Sequence, residues 1–422
     1  MAVAIAILFT LLTLSGLAYL LLALWGARDF SYYWRRVRRG GVRATAFAGS
    51  STAAAKSAAS VSEDTSFGGV ANLSVSILKP VKGNDARMYA GFVSHCRQEY
   101  GGGFEILFGV GGVDDPAVVE VERLRGEFPE CVIRLVVCPE RLGTSGKVSN
   151  LVQMLREARY EYVVINDSDI FVGPRYLERV MGSFADATVG MVTVPYLGRA
   201  ISKETGAGAD GRITVWSRLE ALGISTDFMA GVLTARRLEG GIRFGLGSTL
   251  ATTKTVLAAI GGLEGLVESL ADDYEMGARI AAAGYRVELS DEVVETTVPA
   301  YGFGGFWEHQ MRWARSTRDS RRWGYVGLGI TYAVPWAVMT VVASGFALWS
   351  FSLLSVVVLA RVAVALSVGV GVLRDGQVLR DIWLLPVRDC FGLAVWAWSF
   401  AGDTVVWRGE RFRLKDGRLE RI

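Results

Sequence analysis

"VVINDSDIFVG", residues 163–173, decides how this chain folds. Three β-branched residues, Val163, Val164 and Ile165, run into Asn166, Asp167, Ser168 and Asp169, and apolar residues then resume. The apolar run reads as a buried strand. Its acidic tip then emerges at the sheet edge, where α/β proteins bind ligands. Asp167 and Asp169, with one residue between them, repel each other unless a positive charge lies close by. A divalent cation can supply that charge.

Outward from this strand the same pattern repeats. "LSVSILKP", "EILFGVG" and "IRLVVCP" are strand-like, and "PAVVEVERLRGEF" and "KVSNLVQMLREA" are helix-like segments between them. The alternation predicts an α/β domain with a doubly wound sheet over 73–300, with ligands at the strand C-termini. No internal repeat is apparent.

The composition requires more than this domain. Of the 422 residues, 51% are hydrophobic and 21% charged, which fits a soluble domain joined to membrane segments. The formal net charge of +3 is too small to argue for nucleic acid. Cys96, Cys131, Cys138 and Cys390 show no CxxC spacing and read as reduced core residues of a cytosolic compartment. His95 and His309 are too few for a histidine-rich metal site.

Residues 2–27 carry no charge and exceed the ~20 residues that span a bilayer as a helix. No basic residue precedes the run, and it is long for a signal peptide. Arg28, Arg35, Arg36, Arg38 and Arg39 follow, so this flank is expected to be cytoplasmic. A second apolar block, from Gly324 to Leu373, is interrupted by Arg361 and predicts two passes, about 329–350 and 354–373. Arg361 is expected to snorkel or to pair within the bundle. Pro386, Arg388 and Asp389 break the stretch 382–406, and a basic tail follows, so a re-entrant or interfacial segment is expected there.

The expected organisation is therefore an N-terminal anchor over 1–27, a basic flank and flexible linker over 28–72, and a cytosolic catalytic domain over 73–300. An interfacial amphipathic segment over 301–323, transmembrane or re-entrant helices over 324–406, and a basic cytosolic tail over 407–422 complete it. The protein is expected to sit in an inner (cytoplasmic) membrane with its catalytic domain facing the cytosol.

Candidate chemistry is spread along this order. "SILKPVKGND" ends a strand in Lys79, Pro80 and Lys82, which suits an anionic ligand such as a nucleotide diphosphate and equally a solvated turn. "FGVGGVDDPA" ends the next strand in Asp114 and Asp115, and either of these with Pro116 can simply start a helix. In "NDSDI" the x-D-x-D spacing lets two carboxylates share a hard cation, which in turn neutralises a diphosphate. Asp272 and Asp273 open the amphipathic segment "DDYEMGARIAAAGYRV", as caps or as a general base for an acceptor hydroxyl. "FWEHQMRWARSTRDSRRW", 306–323, is basic and aromatic, as an interfacial helix should be, and such a helix can also cap an active site.

Taken in order, "SILKPVKG", "FEILFGV…DDPA", "GKVSNL", "NDSDI", "DDYEMG", "HQMRW" and "WRGERFRL" resemble glycosyltransferase family 2. More narrowly they resemble the ceramide glucosyltransferase group and its bacterial relatives, including hopanoid-biosynthesis glycosyltransferases. The resemblance implies a GT-A fold and assigns roles position by position. Asp115 matches the aspartate that contacts the nucleotide, and Lys147 and Asn150 match a sugar-nucleotide-binding stretch. Asp167 and Asp169 match the metal-binding D-x-D for Mg²⁺ or Mn²⁺, and Lys79 falls at the donor end of the first strand. Asp273 matches the proposed base. Arg312 and Trp313 match the Arg-Trp of a Q/R-x-x-R-W motif in which His309 stands for Gln or Arg. "STDF", 225–228, lies where animal ceramide enzymes carry a histidine.

The function so implied is inverting transfer of a sugar from a UDP-sugar to a lipid hydroxyl, glucose to ceramide first. N-acetylglucosamine transfer to a hopanoid polyol, or sugar transfer to diacylglycerol, is the alternative. The partners implied are the UDP-sugar, the lipid acceptor and the bilayer. A processive polysaccharide synthase would need more crossings than two or three, and a non-enzymatic scaffold leaves the acidic motifs unexplained.

Overall fold

The computed structural model describes residues 2–39, 73–85, 87–202, 211–407, 410–415 and 417–421. The linker expected at 40–72 lies outside the described residues. The chain divides into two compact units. One takes in Val42–Tyr196 and Gly241–Thr297, and the other Met1–Gly41, Leu197–Gly240 and Val298–Ile422.

The first unit is α/β, as expected. Its strands are β1 Val75–Pro80, β2 Phe104–Val110, β3 Val132–Val137, β4 Tyr162–Asn166 and β5 Val189–Thr193. After β6 (Tyr196–Ala200) come β7 Thr249–Thr253, β8 Arg286–Leu289 and β9 Val294–Val298. Seven of these form one sheet in the order β3-β2-β1-β4-β7-β5-β8. The pairs β1–β2, β2–β3 and β1–β4 are parallel, with Val75 opposite both Phe104 and Tyr162. β7 runs antiparallel to β4 and β5, so the sheet is mixed.

The parallel strands are apolar runs because both of their faces are covered. Ile77, Leu78, Ile106, Leu107, Val163 and Val164 are all fully buried. Helix Met88–Cys96 packs Phe92 onto Phe108 of β2, ring centroids 4.5 Å apart. Helices Ala117–Glu127 and Gly146–Glu157 coincide with the two periodic segments of the sequence.

In the second unit, the N-terminal helix runs from Ala2 to Arg38, eleven residues beyond the expected anchor. Its polar end is held in the helix by partners. Asp29 pairs with Arg236 at 2.8 Å, and the guanidinium of Arg237 lies 3.7 Å from the Trp25 ring centroid. Gly16 lets the helix touch Ala333, where an added Cβ would come within 2.7 Å of that methyl. Nearby, Thr13 and Thr340 join their hydroxyls at 2.9 Å.

Among the described residues two helices, Val3–Arg38 and Leu348–Val372, are long and apolar enough to cross a membrane. The pass expected at 329–350 is broken instead: Arg322–Thr331 and Ala333–Ala343 meet at 53°, and the bent pair counts as a third span only if taken as one. Pro335 sits in the first turn of the second piece, where a missing N–H costs no helical bond. Gly345 and Phe346, both at positive φ, then turn the chain back. The segment 382–406 contains a 15-residue helix, Leu385–Ser399, with Pro386 at its start. At ~20 residues per crossing this helix is short for a full span.

Arg361 pairs within the bundle. Its Nε donates to Asp389 Oδ1 at 3.0 Å, and its Nη2 bonds Asp227. Arg388 Nε lies 2.9 Å from the other Asp227 oxygen. Arg388 and Asp389, which looked like helix breakers, are thus the partners of residues inside the unit.

The compact units differ from the expected continuous domain over 73–300, because Leu197–Gly240 groups with the apolar helices. The cause is its helix Val215–Gly223, whose Leu219 and Leu222 share a core with Phe306, Ala365 and Leu385. The basic tail is likewise folded, as a three-stranded antiparallel sheet of Thr404–Trp407, Glu410–Lys415 and Arg418–Arg421. All four cysteines are unpaired. Cys390 is exposed on its helix and is no core residue.

Candidate active site

The tip of β4 is rigid. Asn166 is fully buried, and its amide donates to Ser248 O at 2.9 Å, Thr249 Oγ1 at 2.9 Å and Tyr176 OH at 3.1 Å. Beyond it the chain leaves the pleat and turns. The alternation that would align Asp167 with Asp169 is therefore lost.

The two carboxylates go to different places. Asp167 Oδ1 lies 2.8 Å from Lys147 Nζ and is partly exposed. Asp169 is turned inward, where it accepts from Thr296 Oγ1 at 2.6 Å and Thr297 N at 3.1 Å. Burial, then the Asp167 charge, pushes the Asp169 carboxyl above its ordinary value. The two members of the expected pair thus have different partners: Asp167 faces Lys147, and Asp169 is bonded to Thr296 and Thr297.

Lys79 is also placed differently from the sequence expectation. It is fully buried beneath this turn, so it offers no surface to a donor. Its ammonium donates to the Asp167 carbonyl at 3.0 Å and stands 3.5 Å from His95 Nε2. Burial pulls its pKa down to about 7 against the pull of Asp169 and Asp167. Lysine here supports the loop from below.

Asp115 holds the start of its helix, as the Asp-Pro pattern predicts, and ties down a second loop as well. Its Oδ1 accepts from Ala117 N, capping the helix, and from Gly83 N, each at 2.9 Å. It thereby joins the loops that follow β1 and β2. Asn150 Nδ2 points to Gly109 O at the end of β2, at 3.4 Å.

Lys147 lies in the first turn of the helix Gly146–Glu157, whose start is capped by Ser145 Oγ accepting from Val148 N. Its Nζ bridges Asp167 and Asp272, the latter at 3.3 Å. Burial alone would lower its pKa, but Asp167, Asp272 and Asp273 outweigh that and hold it above the ordinary lysine value.

Asp272 and Asp273 open the helix Asp272–Ala282. Gly277 sets this helix directly on the backbone of Phe244 and Gly245, where an added Cβ would come within 2.4 Å. Gly245 N donates to Asp273 O at 3.2 Å. Burial first, then the Asp272 charge, pushes the Asp273 carboxyl up to about 6, with Lys147 opposing. Gly247 stands between this carboxylate and the β4 tip. A Cβ there would lie 2.9 Å from Asp273 Oδ2 and 3.8 Å from Asp167 Oδ2.

The donor set is three hard carboxylates around one ammonium. Asp272 Oδ2 is buried with the Lys147 ammonium 3.3 Å away as its charged neighbour, and the space at Gly247 is kept open by the lack of a side chain. Among the described residues, no three of His, Cys, Asp and Glu converge as a ready-made metal cage. A magnesium-type ion does not need one. It is commonly held by one or two carboxylates with phosphate oxygens and water completing the shell, so Asp167 fits such an ion.

His309, Arg312 and Trp313 belong to the other unit, on the helix Phe303–Ser320. His309 Nδ1 lies 2.9 Å from Glu220 Oε1, and its ring packs on Trp313 with centroids 4.8 Å apart. Gln310 Nε2 donates to Glu220 Oε2 at 3.3 Å, and Arg388 donates to Gln310 Oε1 at 3.1 Å. Glu220 and Gln310 were not singled out in the sequence, and Arg388 was noted only as a break in an apolar stretch. Glu220 carries no motif there, and Gln310 sits unremarked beside His309. Asp272 was visible as half of a "DD" pair, whereas Thr296 and Thr297 had no sequence signal.

A family model described as glycosyl transferase family 21 matches residues 9–420. Among curated proteins, ceramide glucosyltransferase 3 of Caenorhabditis elegans is 25% identical over 263 residues, 60% of this chain and 52% of that protein. Ceramide glucosyltransferase 1 of the same organism is 27% identical over 218 residues, 51% of this chain and 44% of that protein. The chain thus spans about half the length of these curated relatives. Among solved structures, a mannosyltransferase from Pyrobaculum calidifontis in complex with GDP-Man and Mn²⁺ aligns with a TM-score of 0.45 at 20% identity. That alignment covers 92% of this chain and 98% of the other.

Proposed function

Since the chain belongs to glycosyl transferase family 21, we propose that it transfers a hexose, glucose first, from its UDP-sugar to the hydroxyl of a membrane lipid of ceramide type. The number differs from the family 2 of the sequence resemblance; the narrower ceramide glucosyltransferase group is the one matched. The observation that carries the mechanism is the place of Asp273, a half-buried carboxylate at the start of its helix beside the Asp167–Lys147 pair, where burial and the Asp272 charge raise its pKa to about 6.

Asp273 takes the proton of the acceptor hydroxyl. The oxygen forms its bond to the anomeric carbon as the bond to the UDP oxygen breaks on the opposite face, which inverts the centre. A carboxylate near pKa 6 is ionised at neutral pH and still basic enough to share a proton. A Mg²⁺ or Mn²⁺ ion, when bound, supplies charge that neutralises the leaving diphosphate. Asp167 would hold it. Lys147, at the N-terminal turn of its helix, lies where an anion is favoured. Asp115 and Asn150 fix the loops that flank the nucleotide, and Lys79 and Asp169 hold the β4 tip in shape.

The sequence resemblance assigns Arg312, Trp313 and His309, on the other unit, to the motif that acts on donor and acceptor, and within that unit the Glu220 carboxylate stands beside the imidazole. The apolar helices keep the enzyme at the inner membrane, with the catalytic unit in the cytosol, so that a lipid hydroxyl can enter at interface depth. Asp167→Ala tests the donor half of this assignment. Loss of UDP release in a variant that melts like the parent supports it, and full retained turnover contradicts it.

A further inference from the structure

Lys147 stands against the ion that the transfer mechanism assigns to Asp167. Its ammonium lies 2.8 Å from Asp167 Oδ1, on the carboxylate suited to a divalent ion. An ion drawn to that oxygen meets a like charge there, so the two cations oppose each other at Asp167. The acidic groups facing Lys147 are Asp167, Asp272 and Asp273.

The surroundings let it move. The pair lies on the accessible side of the unit, with the Asp167 side chain 39% exposed and that of Lys147 18% exposed. Asp272 is only 8% exposed and anchors the ammonium from the inner side. Lysine has a flexible four-carbon stem and three rotatable donors. Its helix begins one residue earlier, and a helix N-terminus attracts phosphate.

Resting on the proposed transfer reaction, we infer that Lys147 is an exchangeable counter-cation. It neutralises Asp167 while no divalent ion is bound. With Mg²⁺ or Mn²⁺ held by Asp167, Lys147 would leave that oxygen and turn its ammonium to the donor diphosphate. The ion and the nucleotide are thereby coupled, since each favours the same position of one side chain. Lys147 then has opposite effects on the two ligands: it opposes the free metal ion and favours the diphosphate. A lysine serving only to hold the fold together would not separate them.

The test uses the full chain in nanodiscs and two ligands, Mn²⁺ alone and UDP. Free Mn²⁺ is followed by electron paramagnetic resonance without nucleotide, and UDP binding is followed by calorimetry at saturating Mn²⁺. Lys147→Met is expected to bind Mn²⁺ alone roughly tenfold more tightly than the parent and UDP roughly tenfold more weakly, because the one positive charge removed repels the ion and attracts the diphosphate. Lys147→Gln, which keeps a polar side chain, is measured in parallel, and thermal melts identify the variants that fold. Unchanged or weaker Mn²⁺ binding in a folded variant overturns the exchange. The Mn²⁺ titration needs no turnover, so the two claims fail separately. Normal sugar transfer without the Mn²⁺ shift sinks the exchange. The shift without transfer to any lipid sinks the proposed function.

Discussion

Asp273 offers the sharpest prediction. Burial and the Asp272 charge raise its carboxyl to about 6, and Lys147 works in the other direction. A base acts in its ionised form, so kcat should be flat above about pH 7, half-maximal near pH 6 and lower below it. At pH 5 roughly a tenth of the sites are ionised, and kcat should be about tenfold down. The neighbours fix the signs for two further variants. Asp272→Asn removes a charge that raises the Asp273 pKa, so the acid limb should move to lower pH. Lys147→Met removes the charge that lowers it, so the limb should move to higher pH. Asp273→Asn should lose roughly 10²–10⁴-fold in kcat at neutral pH, the usual worth of a positioned base. Linkage supplies an independent readout. A carboxyl whose folded pKa lies above its unfolded value contributes stability at low pH that is lost as pH rises through about 6. Asp273→Asn should therefore melt higher than the parent at pH 8, although it is nearly inactive. The assay is UDP release at saturating donor and acceptor between pH 5 and 8.5, beside melts in the same buffers. An acid limb that stays put in both neighbour variants, or an Asp273→Asn enzyme within tenfold of the parent, would refute the assignment.

Three other outcomes are expected. Lys79→Met removes a fully buried ammonium but also the donor to the Asp167 carbonyl, so turnover should drop while the melting temperature does not; unchanged turnover would contradict its support of the loop. Gly247→Ala puts a methyl 2.9 Å from Asp273 Oδ2, and should cut kcat in a protein that still folds, as read by UDP release and circular dichroism. Arg361→Met leaves Asp389 and Asp227 short of a buried partner and should cost ~3–5 kcal/mol, whereas Arg361→Met with Asp389→Leu should recover most of it in melts of the reconstituted protein.

Much of the fold was legible because the parallel strands are buried on both faces and so carry unbroken apolar runs. "VVIN" and "SILKP" needed no partner to be recognised. The mixed character of the sheet was less legible: "TLATT" of β7 is short and polar, and its antiparallel place depends on Ile165 and Val192 across from it. The D-x-D spacing suggested two carboxylates on one cation, but not the partners each would take: Lys147 for Asp167, Thr296 and Thr297 for Asp169. Lys79 read as a surface cation because its sequence neighbours are Pro80 and Lys82, yet the β4 loop closes over it. Charges inside apolar stretches misled in the same way. Arg388 and Asp389 break a hydropathy profile, but with Arg361 and Asp227 they form compensating pairs whose members lie far apart in sequence.

The central claim is sugar transfer from a UDP-sugar to a lipid hydroxyl. Its most direct test is a donor and acceptor matrix on the nanodisc-reconstituted protein, read by mass spectrometry. UDP-glucose, UDP-galactose and UDP-N-acetylglucosamine are each offered with ceramide, diacylglycerol and bacteriohopanetetrol, in Mg²⁺, Mn²⁺ or EDTA. The predicted result is a β-hexosyl-ceramide from UDP-glucose that disappears in EDTA. An N-acetylhexosaminyl-hopanoid instead would replace the substrates and keep the chemistry. No glycolipid from any pair, with no binding of UDP, would contradict the claim.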